Sequence, residues 1–371
     1  MTNLTQNGGQ LMQASHQWAT RPADERFTSL IDMRDHFQAA RERSASKVIS
    51  SRHLTVLPEA DNKGLLIAGP TGAQAAPTNW AFRQVAGLVG APAGYLGKLP
   101  SPIAADALNY GLKFGRDIED VGVLLERDDK SLTMRAATGP NYGRIWNLQI
   151  LRPLVEHFGD GVTGDGWKVP GEFGKAVEVT KANTTLFAGD RDMFVFLADE
   201  NHRIEVPNRR NGLMGSVARG FFVWNSEVGS ATFGLATFLF DYCCCNRIVW
   251  GVQGHQEIRI RHTAGAPDKF IEEMQPALLT YANSSAKGIT DTIKLAREAR
   301  IADKLDEFLK TRFGASKVEP IKAVHVLEEG RPIETVWDAT VAATAYARSI
   351  KWQDDRVAVE RIAGNMLKLA A

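Results

Sequence analysis

The side chains best equipped for chemistry in this chain are arginines. Between Ala182 and Asp268 the sequence carries Arg191, Arg203, Arg209, Arg210, Arg219, Arg247, Arg259 and Arg261 but no lysine, although lysine is plentiful elsewhere. A guanidinium is a planar fork of donors that pairs bidentately with carboxylate or phosphate and stacks on aromatic faces, which an ammonium cannot do. The same stretch holds Phe221, Phe222, Trp224, Tyr242 and Trp250. Bases stacked on aromatic platforms, beside arginines that track phosphates, are the physical basis of single-stranded nucleic-acid binding. The pattern therefore nominates Arg209, Arg210, Arg219, Arg247, Arg259 and Arg261 as phosphate contacts. Trp224 and Asn225, at a strand end, are the expected base platform. Two bland readings stand beside this one. Most of these aromatics, at strand spacing, are core, and Arg219 or Arg247 can pair internally with Glu227 or Asp241. Buried arginine pairs explain the missing lysine equally well.

Other motifs fall away on their chemistry. Ala68-Gly-Pro-Thr-Gly-Ala-Gln74 has the outline of a phosphate loop but lacks the Gly-Lys-Ser/Thr ending. His255-Gln-Glu257 copies a deaminase fragment, yet the Pro-Cys-x-x-Cys that must follow is missing. Cys243, Cys244 and Cys245 are consecutive, so on a strand they point to opposite faces, poor geometry for tetrahedral zinc. The eight histidines show no metal-ligand spacing and no Gly-x-Ser-x-Gly elbow occurs. No cofactor is expected. A metal-dependent enzyme acting on nucleotides would have to gather Asp190, Asp192, Glu227 and Asp241 around a cation.

These residues need a frame, and periodicity supplies one. Residues 1–26 read as a flexible arm. Residues 27–118 form a mixed, mostly helical region: an amphipathic helix from Phe27 to Ala45, strands at His53–Leu57 and Leu65–Ala68, then helices over Asn79–Leu112. That last run has the outline of a helix-turn-helix, with Gly90 at the turn and Tyr95–Leu99 as a recognition helix cut short by Pro100; a packed helical hairpin is the stronger expectation. Residues 119–266 are expected to form an antiparallel α+β core. It contains a hairpin over Asp120–Thr138, a helix at Trp146–Phe158, strands at 176–180, 184–188, 193–198, 203–206, 220–225, 232–244, 247–252 and 257–262, and a mobile loop at Asn208–Ser216. Residues 267–371 read as a helical C-terminal region. The fold class is α+β, a mainly antiparallel sheet core with packed helices.

With 371 residues, 44% of them hydrophobic, the chain can fill a real core. Its formal charge of +1 excludes a global basic field, so anion binding must be local. Clustered cysteines and the lack of a signal peptide or long apolar run point to a cytosolic protein without a membrane partner.

The stretches TNWAFRQVAGLVGAPAGYLGKLP, FFVWNSEVGSATFGLATFLFDYCCCNRIVWG and TVWDATVAATAYARSIKWQDDRVAVERIAG resemble the DUF932 group of phage and plasmid proteins, over about Thr78 to Gly364. The likeness is densest in Trp224-Asn-Ser-Glu-Val-Gly229 and in the Cys-Asn-Arg ending at Arg247. It implies a place in mobile genetic elements and a link with DNA replication or recombination, but carries no catalytic residues. The order of elements also parallels phage-type single-strand annealing proteins, which run DNA along a basic groove of an oligomer. The leading expectation is thus a nonenzymatic protein that binds single-stranded DNA and forms a homo-oligomer. The rivals are the metal-dependent enzyme and a structural or regulatory oligomer that meets host proteins through its helical C-terminal region.

Overall fold

A computed structural model describes residues 21–61, 63–115, 120–129, 131–164, 166–170, 178–241, 257–350, 353–367 and 369. Tyr242, the three cysteines, Arg247, Trp250 and His255 lie outside the described residues. In chain order the elements begin with β1 (Arg26–Phe27), α1 (Leu30–Glu42), β2 (Ser44–Ser50), β3 (Thr55–Pro58), β4 (Leu65–Ala68) and β5 (Gln74–Pro77). Three helices follow, α2 (Asn79–Leu88), α3 (Ala93–Leu96) and α4 (Ser101–Phe114), then the hairpin β6 (Asp120–Arg127) and β7 (Leu132–Thr138) and the helix α5 (Asn147–Phe158). The central strands are β8 (Trp167–Lys168), β9 (Leu186–Ala188), β10 (Met193–Asp199), β11 (Ile204–Arg209), β12 (Leu213–Asn225), β13 (Phe233–Asp241) and β14 (Glu257–Ile260). The C-terminal helices are α6 (Ala266–Lys269), α7 (Gln275–Asn283), α8 (Lys287–Glu298), α9 (Leu305–Phe313), α10 (Ala315–Glu329), α11 (Val336–Ala347) and α12 (Gln353–Leu367).

The strands make two sheets, antiparallel throughout except where β5 meets β7. The α+β class read from the sequence is therefore the observed one. The larger sheet runs β1-β9-β10-β12-β13-β14, with β11 added to β12 and β8 to β10. The smaller runs β2-β6-β7-β5-β4-β3. Pairing of β2 with β6 and of β5 with β7 joins residues from either side of the expected division at 118 into one sheet.

Every residue of β10 is buried, because both faces of the large sheet are covered. Met193, Val195 and Leu197 face α1 and α5, while Phe194 and Phe196 join Phe222 and Trp224 on the other face. Alternation thus sends neighbouring residues to opposite layers. The far ends of β11, β12 and β13 supply Ile204, Val206, Val217 and Leu239 to a second core, built with α8 to α12. α2, α3 and α4 lie on the small sheet, with Val85, Leu96 and Leu108 in its core, so the presumed recognition helix is a four-residue element of a packed layer. Among the described residues no helix is long and apolar enough to cross a membrane.

Two expected features differ. Asn208–Ser216 is not a loose loop but the tip of the β11–β12 hairpin. A bulge between Val206 and Arg209 and left-handed backbone at Asn208, Asn211 and Gly212 turn the chain within four residues. Residues 178–180 form no strand.

Candidate nucleic-acid interface

The nominated residues fall into an interior and an exterior set. Arg209 is 1% exposed. Its Nη2 donates to Asp241 Oδ2 at 2.9 Å and to Glu329 Oε1 at 2.9 Å, and its Cζ stands 5.8 Å from the Trp337 ring. Arg219 is buried as well. It donates from Nη2 to Asp199 Oδ2 at 2.7 Å and from Nη1 to the Ser284 carbonyl at 2.6 Å, above the rings of Trp167 and Tyr281. Trp224 is 2% exposed and lies flat on β13, in register with Gly234. A Cβ at position 234 would come within 1.8 Å of the indole, so only glycine admits it. Asn225 is enclosed and donates to the Ile145 carbonyl at 2.8 Å and to Asn147 Oδ1 at 2.7 Å.

These four are corrections to the sequence reading. As placed, no phosphate or base reaches them, and they join sheets and helices instead. The internal pairings also differ from those expected: Asp199 serves Arg219, Asp241 serves Arg209, and Glu227 serves Arg135. Arg210, Arg259 and Arg261 do face outward. Ile260 between the last two is buried, as alternation predicts, but the strand expected over 257–262 ends at Ile260 and Arg261 lies just beyond it. Arg210 sits at the hairpin tip, its backbone N–H donating to Glu329 Oε2 at 2.6 Å. Arg247 lies outside the described residues.

The carboxylates nominated for a metal are dispersed. Asp190 lies 3.8 Å from Arg191, Asp192 pairs with Arg21, Glu227 with Arg135 and Asp241 with Arg209. Among the described residues no group of three or more His, Cys, Asp or Glu could hold an ion.

A different cluster has the chemistry sought. In the loop between β7 and α5, Tyr142, Arg144 and Trp146 alternate. The Arg144 Cζ stands 5.2 Å from the Tyr142 ring and 5.7 Å from that of Trp146. Arg41, exposed in the last turn of α1, lies over the same Trp146 at 4.1 Å. On the other side His262 stacks on Tyr142, centroids 4.8 Å apart and planes 26° from parallel. Arg41, Trp146, Arg144 and Tyr142 alternate guanidinium and ring, His262 closes the run by stacking on Tyr142, and it directly follows the exposed Arg261.

Arg144 is its most unusual member. It is 8% exposed, and its Nε and Nη1 are enclosed without a hydrogen-bond partner. Glu227, the carboxylate that acts on it, already accepts from Asn147 N–H at 2.8 Å and from Arg135 Nη1 at 3.1 Å. Burial holds the Arg144 pKa below the usual guanidinium range. A buried cation that no carboxylate hydrogen-bonds costs stability, which is more typical of a site than of a scaffold. His262 repeats the pattern. Its Nδ1 lies 3.0 Å from the Gly143 carbonyl, which can only accept, so Nδ1 bears the proton and the enclosed, unpartnered Nε2 presents a lone pair. Burial drops its pKa to about 4.

The scaffold explains how the loop is held. The Tyr142 hydroxyl donates to the Ser226 carbonyl at 2.7 Å, and Trp80 and Gln84 of α2 donate to the Val228 carbonyl at 3.0 and 2.7 Å. A Cβ on Gly143 would sit 1.8 Å from the Thr263 carbonyl, so the close approach of this loop to the segment after β14 needs glycine there. The stretch Trp224 to Gly229, singled out by its wording, is therefore the mount of the cluster rather than its working surface. Sequence reasoning passed over Tyr142, Arg144 and Trp146 because Gly139, Pro140 and Gly143 mark a turn, although a ring, an arginine and a ring at alternate positions were visible.

A cleft of about 310 Å³ also opens between the glycine-rich segment after α5 and α7, lined by His157, Trp167 and Asn283. Among its described lining residues none is Lys, Arg, Asp or Glu, so it offers no charge to a phosphate. Comparison with protein-family models, with curated proteins and with solved structures finds no match to this chain.

Proposed function

We propose that this protein binds single-stranded nucleic acid, and that its contact surface is the stack from Arg41 to His262, extended by Arg261 and Arg259. The observation that carries this reading is the interleaving of guanidinium and ring, with Arg144 enclosed, two of its nitrogens unpartnered, and the carboxylate that acts on it, Glu227, already bonded to Arg135 and Asn147. A guanidinium held flat on an indole keeps its in-plane N–H groups free for phosphate oxygens and offers its outer face to a base. Arg41 lies over the Trp146 ring at the exposed end, where a strand would first meet the protein. A local patch of this kind operates without a net basic field, which agrees with the formal charge of +1. The DUF932 resemblance adds a phage or plasmid setting, in which single-stranded DNA is the favoured form.

Anisotropy titrations of a labelled oligothymidylate at two salt concentrations test the proposal. Wild-type affinity is expected to fall as salt rises, through release of condensed counterions. Arg41→Ala should weaken binding by about fivefold, the equivalent of roughly 1 kcal/mol for one exposed cation-ring contact. Arg144→Met should weaken it further while leaving the protein at least as stable to heat, because a buried charge that no carboxylate hydrogen-bonds is removed. No affinity even at low salt would end the proposal.

A further inference from the structure

The small sheet has two edges, and the molecule treats them differently. At the β3 edge the Asn109 side chain stands in for a neighbouring strand: its Oδ1 accepts from Val56 N–H and its Nδ2 donates to the Val56 carbonyl, both at 2.8 Å. Pro58 ends that strand and removes a donor. The β2 edge has neither device. β2 is seven residues long and pairs with β6 along its whole length without a register shift. The N–H of Arg127 donates to the Arg43 carbonyl, which makes Arg43 and Arg127 a hydrogen-bonded pair just before the strand. By alternation Ala45, Lys47 and Ile49 turn their backbone groups to β6, and Ser44, Ser46, Val48 and Ser50 turn theirs outward. Among the described residues only Arg41 Nη1, at 3.5 Å from the Ser44 carbonyl, meets one of those outward groups. Val48 is 54% exposed on this strand. A long open edge is a template for strand addition unless it is blocked.

We propose that β2 is a homodimer interface, formed by antiparallel pairing of β2 with β2 of a second copy about a two-fold axis midway between the two copies of Val48. The geometry of a strand pair and two observations favour a second copy. In an antiparallel pair opposed residues lie on the same face, so a two-fold axis normal to the sheet must lie midway between two copies of one residue. Centring on Val48 uses the outward-facing set: Val48 meets Val48 and Ser46 meets Ser50, for about six inter-chain hydrogen bonds. That centre also puts Lys47 opposite Ile49, whereas a centre on Lys47 would oppose two ammonium groups. The near-zero formal charge leaves no general repulsion between copies. The pairing would fuse two small sheets into one and place two Arg41 stacks on one assembly. It stands whether or not nucleic acid is bound.

The test is made without nucleic acid. Light scattering at high micromolar concentration is expected to give a dimer for the wild type and a monomer for Val48→Lys, which places two charges across the axis while altering an exposed position. Ser46→Pro, which deletes an outward N–H, should do the same with unchanged circular dichroism. With Cys243, Cys244 and Cys245 replaced by serine, Val48→Cys should form a disulfide-linked dimer on mild oxidation and Lys47→Cys should not, since opposed Cα atoms of a hydrogen-bonded pair lie about 5.5 Å apart. A monomeric wild type, or a dimer untouched by both Val48→Lys and Ser46→Pro, overturns the proposal.

Discussion

Arg209→Ala is expected to destabilise the fold by about 3–5 kcal/mol, the cost of leaving buried charge without its partner. Arg209 stands between Asp241 at the end of β13 and Glu329 at the end of α10, and all three side chains are 1% exposed. Its guanidinium meets one carboxylate through Nη2 and the other through both Nε and Nη2. Glu329 also accepts from the backbone of Arg210, so the same carboxylate fixes the hairpin tip to the helix. Truncation at 209 takes a charged donor from both Asp241 and Glu329, each of them buried. A second change, Glu329→Gln, should recover part of the loss by removing one of the stranded charges. Urea denaturation followed by circular dichroism measures both variants. A loss under about 1 kcal/mol would mean that the network carries little, as surface pairs do. Nucleic-acid affinity per folded molecule should not change, which separates this interior role from the phosphate contact that the sequence alone suggests.

Mild acid should weaken the protein well before its carboxylates titrate. His262 and His325 have pKa values of about 4 in the folded chain, against 6.5 for a free imidazole. Burial is the main cause for each, and for His325 the opposing pull of Asp338 and Glu329 does not overcome it. Both rings are thus neutral when folded, and neither His325 nitrogen has a hydrogen-bond partner. As pH falls below about 6.5 the unfolded chain takes up protons that the folded chain refuses, so stability declines until about pH 4 and stays low beneath it. A shift of this size amounts to roughly 3 kcal/mol for each ring at the low end. Asp338 adds a loss at still lower pH. Burial alone would raise its pKa, but bidentate hydrogen bonds from Arg331 bring it below the ordinary value, so its contribution vanishes as that carboxylate protonates. Unfolding midpoints at pH 7 and pH 4.5 check the sign. His325→Leu should cut the fall between them by about half, whereas a midpoint flat over that range would contradict the burial of both rings.

What could be read from the sequence follows from what is local. The β6–β7 hairpin announced itself by alternation on either side of Asp128 and Asp129, and α1 and α5 by their spacing. Arg259 shows the outward face that strand alternation requires. β2 was missed because Ser-Ala-Ser-Lys-Val-Ile-Ser is exposed over most of its length, and an edge strand so exposed writes no alternating pattern. β5 was missed because Gln74–Pro77 pairs with β7, more than fifty residues away, while its sequence resembled a loop. The arginine-rich stretch was rightly marked as unusual, but the chain does not state what lies across from an arginine. Glu329 is 120 positions from Arg209, and Ser284 is 65 from Arg219. Their meeting depends on how the C-terminal helices cap the large sheet, which no local pattern specifies. The stack escaped for the same reason: Arg41, Trp146 and His262 come from three separate segments.

The claim that the working surface is this stack, and not the interior arginines, is tested most directly by photocrosslinking a thiothymidine-bearing single strand to the full chain and mapping the adducts by mass spectrometry. Adducts at Tyr142, Trp146 or His262, or on peptides carrying Arg41 and Arg261, are the expected result. Adducts confined to other peptides, or none under conditions where the strand is bound, would contradict it.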